Sequence, residues 1–146
     1  MGPRGADLPR RHGAYGLGWT TDLPATLALV ADYLRAGGVF VFSGEHPAYS
    51  RLAWDGKQYI ITEPYTAEGS VEYTSWKGVP IVIQHRTLGT FITEIARAGL
   101  RVEALVEGEL KPDLAKAVHA DPARWYSVPR ARMMPTTFII KARKPR

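Results

Sequence analysis

The sequence predicts an α/β fold, and three observations carry that prediction. A capped, amphipathic helix over 22–38 runs straight into the apolar stretch Val39–Phe42. A second helix from Thr87 to Gly99 is again followed by a β-forming stretch, 100–106. A third apolar stretch, Thr136–Ala142, closes the chain ahead of a basic tail. Helices alternating with short apolar strands are the pattern of a sheet with crossover helices.

Residues 1–14, rich in Gly, Pro and Arg without periodicity, are expected to form a flexible basic arm. Asp22 is placed as the N-cap of the first helix, with Pro24 in its first turn. Leu23, Leu27, Val30 and Leu34 then recur on one face. Gly37-Gly38 supply the left-handed residue that ends a helix. Val39–Phe42 is apolar throughout, as suits a strand covered on both faces. The polar turn Ser43-Gly44-Glu45-His46-Pro47 should follow at its carboxyl end, the edge where open α/β sheets bind ligands.

Between 48 and 84, Gln58–Thr62, Val71–Trp76 and Val79–Gln84 have β character and are broken by Pro64, Gly69 and Gly78. This segment reads as an antiparallel substrate-side insertion or lid. Its dense aromatics could line an apolar pocket, or simply form the insertion's own core. In the second helix, Thr87 is the cap and Leu88, Phe91, Ile92 and Ile95 the buried face. Leu100, Val102, Ala104 and Val106 should form one face of the next strand. Four prolines interrupt 111–135, where a short helix is expected near Asp113–His119.

Length and composition narrow the function classes. At 146 residues, 45% hydrophobic and 23% charged, the chain is the size and composition of one soluble globular domain. No apolar run reaches the roughly 18 residues of a membrane span. With no cysteine, disulfides, thiol nucleophiles and thiolate metal sites are excluded, which suits a cytoplasmic protein. The formal charge of +5 gathers at the ends, with six basic residues and no acid in 130–146. Such a tail can attract phosphates but more often only aids solubility, so nucleic acid is not an expected partner.

Few residues pattern themselves as a site. Gly13-x-x-Gly16-x-Gly18 has the spacing of a dinucleotide-binding turn reversed and follows no evident strand, so it reads as a flexible turn leading to Trp19. His12, His46, His85 and His119 lack paired metal-ligand spacing, and no metal is expected. His46, beside Glu45 at a strand's carboxyl end, could act as a general acid or base, or could orient the turn before Pro47. His85-Arg86-Thr87 at a helix start could hold a polar substrate group, or Arg86 could pair with a carboxylate and cap the helix.

In order along the chain, these segments resemble class I S-adenosylmethionine-dependent methyltransferases of the small-molecule type. TDLPATLALVADYLRAGGVFVFSGEHP is similar to that family's fourth helix and fifth strand, with Ala36 where a proline is common in the turn. AYGLGWTTDLP resembles the loop after the fourth strand. HRTLGTFITEIARAGLRVEALVEGEL resembles the next helix and strand, and MMPTTFIIKARKP the last, antiparallel strand. The resemblance runs from about Tyr15 to Pro145. The family's Gly-rich cofactor loop and its ribose-binding acid have no counterpart.

The resemblance implies a partial Rossmann-like methyltransferase domain over 15–146, with strands equivalent to 5-7-6 of the family sheet and something missing upstream. S-adenosylmethionine is the implied cofactor, touched here only at its rim by Tyr15, Gly18 and Trp19. A small organic methyl acceptor is the implied substrate, met by Glu45, Pro47, His85 and Arg86, with His46 as the catalytic base. The isolated chain is expected to be inactive, and a non-catalytic oligomerising or binding module derived from a methyltransferase is the alternative. An apolar Val39–Phe42 edge without its usual neighbour should favour a homodimer through that edge.

Overall fold

The computed structural model describes residues 11–14, 16–76, 79–108 and 120–146. The elements in chain order are β1 (Arg11–Ala14), α1 (Leu23–Tyr33), β2 (Val39–Glu45), β3 (Leu52–Trp54), β4 (Tyr59–Ile61), β5 (Gly69–Trp76), β6 (Val79–His85), α2 (Leu88–Arg97), β7 (Arg101–Glu107), α3 (Val128–Met133) and β8 (Thr137–Arg143).

The main sheet has the order β1-β2-β8-β7. β1 runs parallel to β2, and β8 lies antiparallel to both β2 and β7. The three strands β2, β8 and β7 reproduce the expected 5-7-6 arrangement, and α1 and α2 pack on one face of them. Phe40 and Phe42 of β2 and Phe138, Ile140 and Ala142 of β8 bury themselves against Leu23 and Leu27 of α1 and Phe91 and Ile95 of α2. Period-two burial along β2 and β8 makes this a single core. The opposite face leaves Ile139 and Val106 exposed.

Both helix caps act as the sequence predicts. The Asp22 carboxylate accepts from Ala25 N at 2.9 Å, and the Thr87 hydroxyl accepts from Thr90 N at 3.1 Å. α2 ends in a Schellman turn: Gly99, at φ +80°, and Leu100 donate back to Ala96 O and Ile95 O at 3.0 and 3.2 Å.

Five expectations need correction. Residues 1–14 are not wholly an arm, because Arg11–Ala14 pair in register with Phe40–Ser43. Four residues with two small side chains carry too weak a pattern to be read as a strand, and it is the backbone of β2 that supplies their partners. The Val39–Phe42 edge is consequently covered, and among the described residues β1 is the outer strand on that side. β2 also continues through Ser43-Gly44-Glu45, because Gly44 and Phe138 pair across from β8, so the turn begins only at His46. α1 stops at Leu34, three residues before Gly37, which takes φ +77° within the turn while Gly37 N donates to Lys144 O at 3.0 Å.

The fifth concerns β7. A bulge at Glu103 sets Val102 opposite Ala142 but Ala104 opposite Lys141. The extra residue reverses the alternation, so Leu105 and Glu107, rather than Ala104 and Val106, share the face of Ile140 and Phe138.

The segment 48–84 is antiparallel, as expected, but consists of two separate hairpins, β3-β4 and β5-β6. The helix expected near Asp113–His119 lies outside the described residues. The short α3, capped by Ser127 with Pro129 in its first turn, was not anticipated.

Candidate functional site

A cavity of about 530 Å³ opens at the carboxyl end of β1 and β2, the edge at which open α/β sheets hold ligands. Phe42, Phe91 and Phe138 form its apolar floor. The hairpin β5-β6 supplies one wall through Tyr73, Ile83 and His85, with Gln84 beside them. Val71, Tyr73, Ile81, Ile83 and His85 share one face of that hairpin, because Val71 pairs with Ile83 and Tyr73 with Ile81. Trp125 and Tyr126 close the far side, and Gly18 and Trp19 stand at the end of β1.

Six of the eight site residues read from the sequence line this cavity: Gly18, Trp19, Glu45, Pro47, His85 and Arg86. Tyr15 lies outside the described residues. His46 does not line it. Its Nδ1 accepts from Ala48 N at 3.2 Å, which puts the ring proton on Nε2, 2.7 Å from Glu107 Oε1. With both nitrogens engaged and the ring edge-on to Phe138, His46 orients the turn before Pro47.

Arg86 is a structural clamp. Its guanidinium donates to Leu17 O at 3.0 Å and Thr20 O at 2.5 Å, fixing the 3-10 turn Gly16–Gly18 and hence the place of Trp19. Among the described residues no carboxylate is its hydrogen-bond partner. Glu68 instead accepts from Thr87 N at 2.7 Å and from the Thr90 hydroxyl at 2.6 Å at the start of α2.

Glu45 is the acid of the cavity. It is half-buried, and burial raises its pKa against the opposing pull of the Trp125 and Tyr126 hydrogen bonds and the Arg130 charge. The Trp125 indole donates to Glu45 Oε2 at 2.9 Å. Trp125 is held from behind by Arg130, whose guanidinium lies 4.4 Å from the Trp125 ring centroid and 4.5 Å from that of Tyr49. The same guanidinium donates to Tyr49 O at 2.8 Å and to Leu52 O. Tyr49 is wholly buried, its hydroxyl donates to Trp125 O, and burial pushes its pKa up to about 12.

His85, Arg51 and Tyr73 form the polar part of the hairpin wall. Arg51 donates from Nη1 to His85 Nδ1 and from Nη2 to Ala67 O at 2.7 Å. The Tyr73 hydroxyl is 3.2 Å from His85 Nε2. Burial first, and the Arg51 charge second, lower the His85 pKa, although Glu63, 3.9 Å from Nδ1, works the other way. Burial likewise raises that of Tyr73.

No local pattern marks Arg51, Trp125 or Tyr126, whereas Tyr73 belongs to the dense aromatics of 48–76 that could line a pocket, and it does line the cavity. Arg51 and Trp125 acquire their places only when distant segments meet. The other aromatics of 48–76 with described side chains serve mainly the fold: Trp54 packs edge-on against Tyr59, and the Tyr65 hydroxyl accepts from Leu88 N at 3.1 Å. Among the described residues no group of three His, Asp or Glu side chains could hold a metal ion, and no helix is long and apolar enough to cross a membrane.

An α/β sheet with an antiparallel last strand, carrying an aromatic cavity at its carboxyl edge, is a Rossmann-like arrangement. Solved structures that share this fold include methyltransferases. An S-adenosylmethionine-dependent methyltransferase from Mesorhizobium loti aligns at 28% identity with TM-score 0.70, over 91% of this chain and 60% of that one. A putative S-adenosylmethionine-dependent methyltransferase from Listeria monocytogenes aligns at 19% identity with TM-score 0.68, over 92% and 60%. The glycopeptide N-methyltransferase MtfA, solved with S-adenosylhomocysteine, aligns at 16% identity with TM-score 0.51, over 92% and 53%. No family model matches the sequence, and no curated protein matches it. The chain has the fold of the C-terminal part of a class I S-adenosylmethionine-dependent methyltransferase and spans about 60% of the length of the first two relatives.

The residues present fit the donor of such enzymes only in part. Gly18 presents open backbone, with nothing within 4 Å of where a Cβ would stand, and Trp19 is half-exposed beside it. Together they suit one wall of a cofactor site. The Gly-rich loop and the ribose-binding acid that would complete it are not in this sequence.

Proposed function

We propose that this chain is the acceptor-side part of an S-adenosylmethionine-dependent methyltransferase acting on a small organic molecule. The observation that carries the reading is the aromatic cavity at the carboxyl edge of the sheet, with the turn Gly16–Trp19 on one side and the β5-β6 hairpin on the other. In this reading Tyr15, Gly18 and Trp19 form the donor's rim, and Glu45, Pro47 and His85 meet the acceptor. Arg86 acts indirectly by fixing the rim. Rate enhancement would come from holding the acceptor atom in line with the donor, with Glu45 as the group able to take a proton.

The test is calorimetric titration with S-adenosylhomocysteine, followed by transfer of labelled methyl groups to a panel of small aromatic acceptors. Micromolar, saturable binding and transfer would support the reading. No binding at millimolar ligand would overturn it for this chain alone.

The partial donor wall favours a second reading, a non-catalytic binding module that kept the cavity without the chemistry. It predicts small-molecule binding that S-adenosylhomocysteine neither needs nor alters. The homodimer expected through the Val39–Phe42 edge loses its ground, because β1 covers that edge.

A further inference from the structure

We propose that Tyr73 is the hydrogen-bond donor that orients the small molecule in the cavity, by donating its hydroxyl proton to a carbonyl oxygen of that molecule. The inference rests on the cavity being the acceptor site, and it adds a chemical class to that site.

A guanidinium has five N–H donors and no acceptor. Arg51 therefore makes His85 Nδ1 an acceptor. In a neutral ring the proton must then sit on Nε2. That Nε2 faces the Tyr73 hydroxyl at 3.2 Å, so the phenol oxygen accepts from His85. Its own proton is directed elsewhere, and Tyr73 lines the cavity.

Arg51, His85 and Tyr73 thus form three donors in series that start at a buried cation and end at the cavity. Each bond polarises the next, which sharpens the last donor. The partner best suited to it is an electron-rich oxygen on a largely apolar body, since Phe42, Phe91, Phe138 and Ile83 line the same cavity. The chain is pinned at both ends. Arg51 is 2% exposed and also holds Ala67 O, and Tyr73 is registered opposite Ile81 in the hairpin. Burial keeps the phenol protonated at neutral pH and disfavours a charged His85.

Two probes of equal shape test the idea: 2-acetylnaphthalene and 2-isopropenylnaphthalene, which differ by a carbonyl oxygen in place of a methylene. Binding is read by quenching of tryptophan fluorescence. The wild-type chain should prefer the ketone by about fivefold or more, the size of one net hydrogen bond. Tyr73→Phe should abolish the preference while leaving the alkene's affinity within about twofold and the circular dichroism unchanged. Nitrogen-15 shifts of the His85 ring should report the neutral, Nε2-protonated form at pH 7. Equal affinities in the wild type, a preference that survives Tyr73→Phe, or a proton on Nδ1 would each overturn the role of Tyr73 and leave the proposed function standing. Failure of both probes to bind below millimolar would overturn the cavity as a site, and the function with it. Ketone preference without any S-adenosylhomocysteine binding would support the donor role and favour the binding-module reading.

Discussion

His46 Nε2 and Glu107 Oε1 stand 2.7 Å apart, tying the residue after β2 to the last residue of β7 across the intervening β8. The contact exists because the bulge at Glu103 turns Glu107 onto the face of Phe138, over which the His46 ring lies. His46→Ala should therefore cost about 2 kcal/mol, combining lost packing with a lost hydrogen bond. Glu107→Gln, which keeps an acceptor at a half-exposed position, should cost about 1 kcal/mol or less. Urea unfolding measures both. Probe affinity in the cavity should hold within about twofold in each variant, whereas a catalytic His46 would lose activity out of proportion to stability.

Arg130 holds the far wall of the cavity, stacked between Tyr49 and Trp125 and bonded to two backbone carbonyls. Arg130→Met keeps much of the volume but leaves both buried carbonyls without that donor. The expected loss is about 3 kcal/mol. Arg130→Lys should recover only part of it, because a single ammonium lacks the planar fork. Denaturant midpoints test the ranking, and a red shift in tryptophan emission should accompany the Met variant as Trp125 loosens.

Arg86 fixes the turn beside the proposed donor rim through Leu17 O and Thr20 O. In Arg86→Met the Trp19 amide, which donates to Gly16 O at 3.2 Å, should exchange with solvent at least about tenfold faster, a change of roughly 1.4 kcal/mol in local opening. Amides in the centre of β8 should keep their protection. Uniformly faster exchange would mean that Arg86 supports the whole fold and not this turn.

Two glutamates should give opposite pH dependences. Glu103 accepts from Arg143 and is paired with Lys141 and Arg101, which hold its pKa at about 2. A depressed folded pKa means stability that is present above the unfolded value near 4.5 and is lost as pH falls towards 2. The stability difference between wild type and Glu103→Gln should shrink over that window. Glu45 has a raised pKa, led by burial, so its ionisation opposes folding. That cost is absent below the unfolded value, grows as pH rises above it, and is complete above the folded pKa. Glu45→Gln should thus gain stability relative to wild type between pH 4 and pH 8, as midpoints taken across that range would record.

α1 and α2 were legible because their signals are local. Asp22 and Thr87 cap them, Leu23, Leu27, Phe91 and Ile95 repeat at helical spacing, and Gly99 ends α2 within one turn of chain. β2 and β8 were legible for a similar reason, since Phe40, Phe42, Phe138 and Ile140 are β-forming neighbours that need a core whatever surrounds them. β1 was not, because four residues, two of them glycine and alanine, become a strand only where the edge of β2 satisfies their backbone groups. The bulge at Glu103 was hidden as well, since its cause is the register that β8 imposes on β7.

The sequence by itself determined the α/β class, the order of helix and strand, and that Glu45, Pro47 and His85 lie at the ends of strands. Those properties follow from periodicity and capping, which act over a few residues. Only the tertiary structure decided that His46 turns to Glu107, that Arg86 serves the backbone of the Gly16–Gly18 turn, and that Arg51 dictates which nitrogen of His85 carries the proton. Each depends on partners 34 to 69 residues away. Which of several possible hydrogen bonds a side chain makes is settled by the groups that packing places within 3 Å of it, and no local pattern encodes that distance.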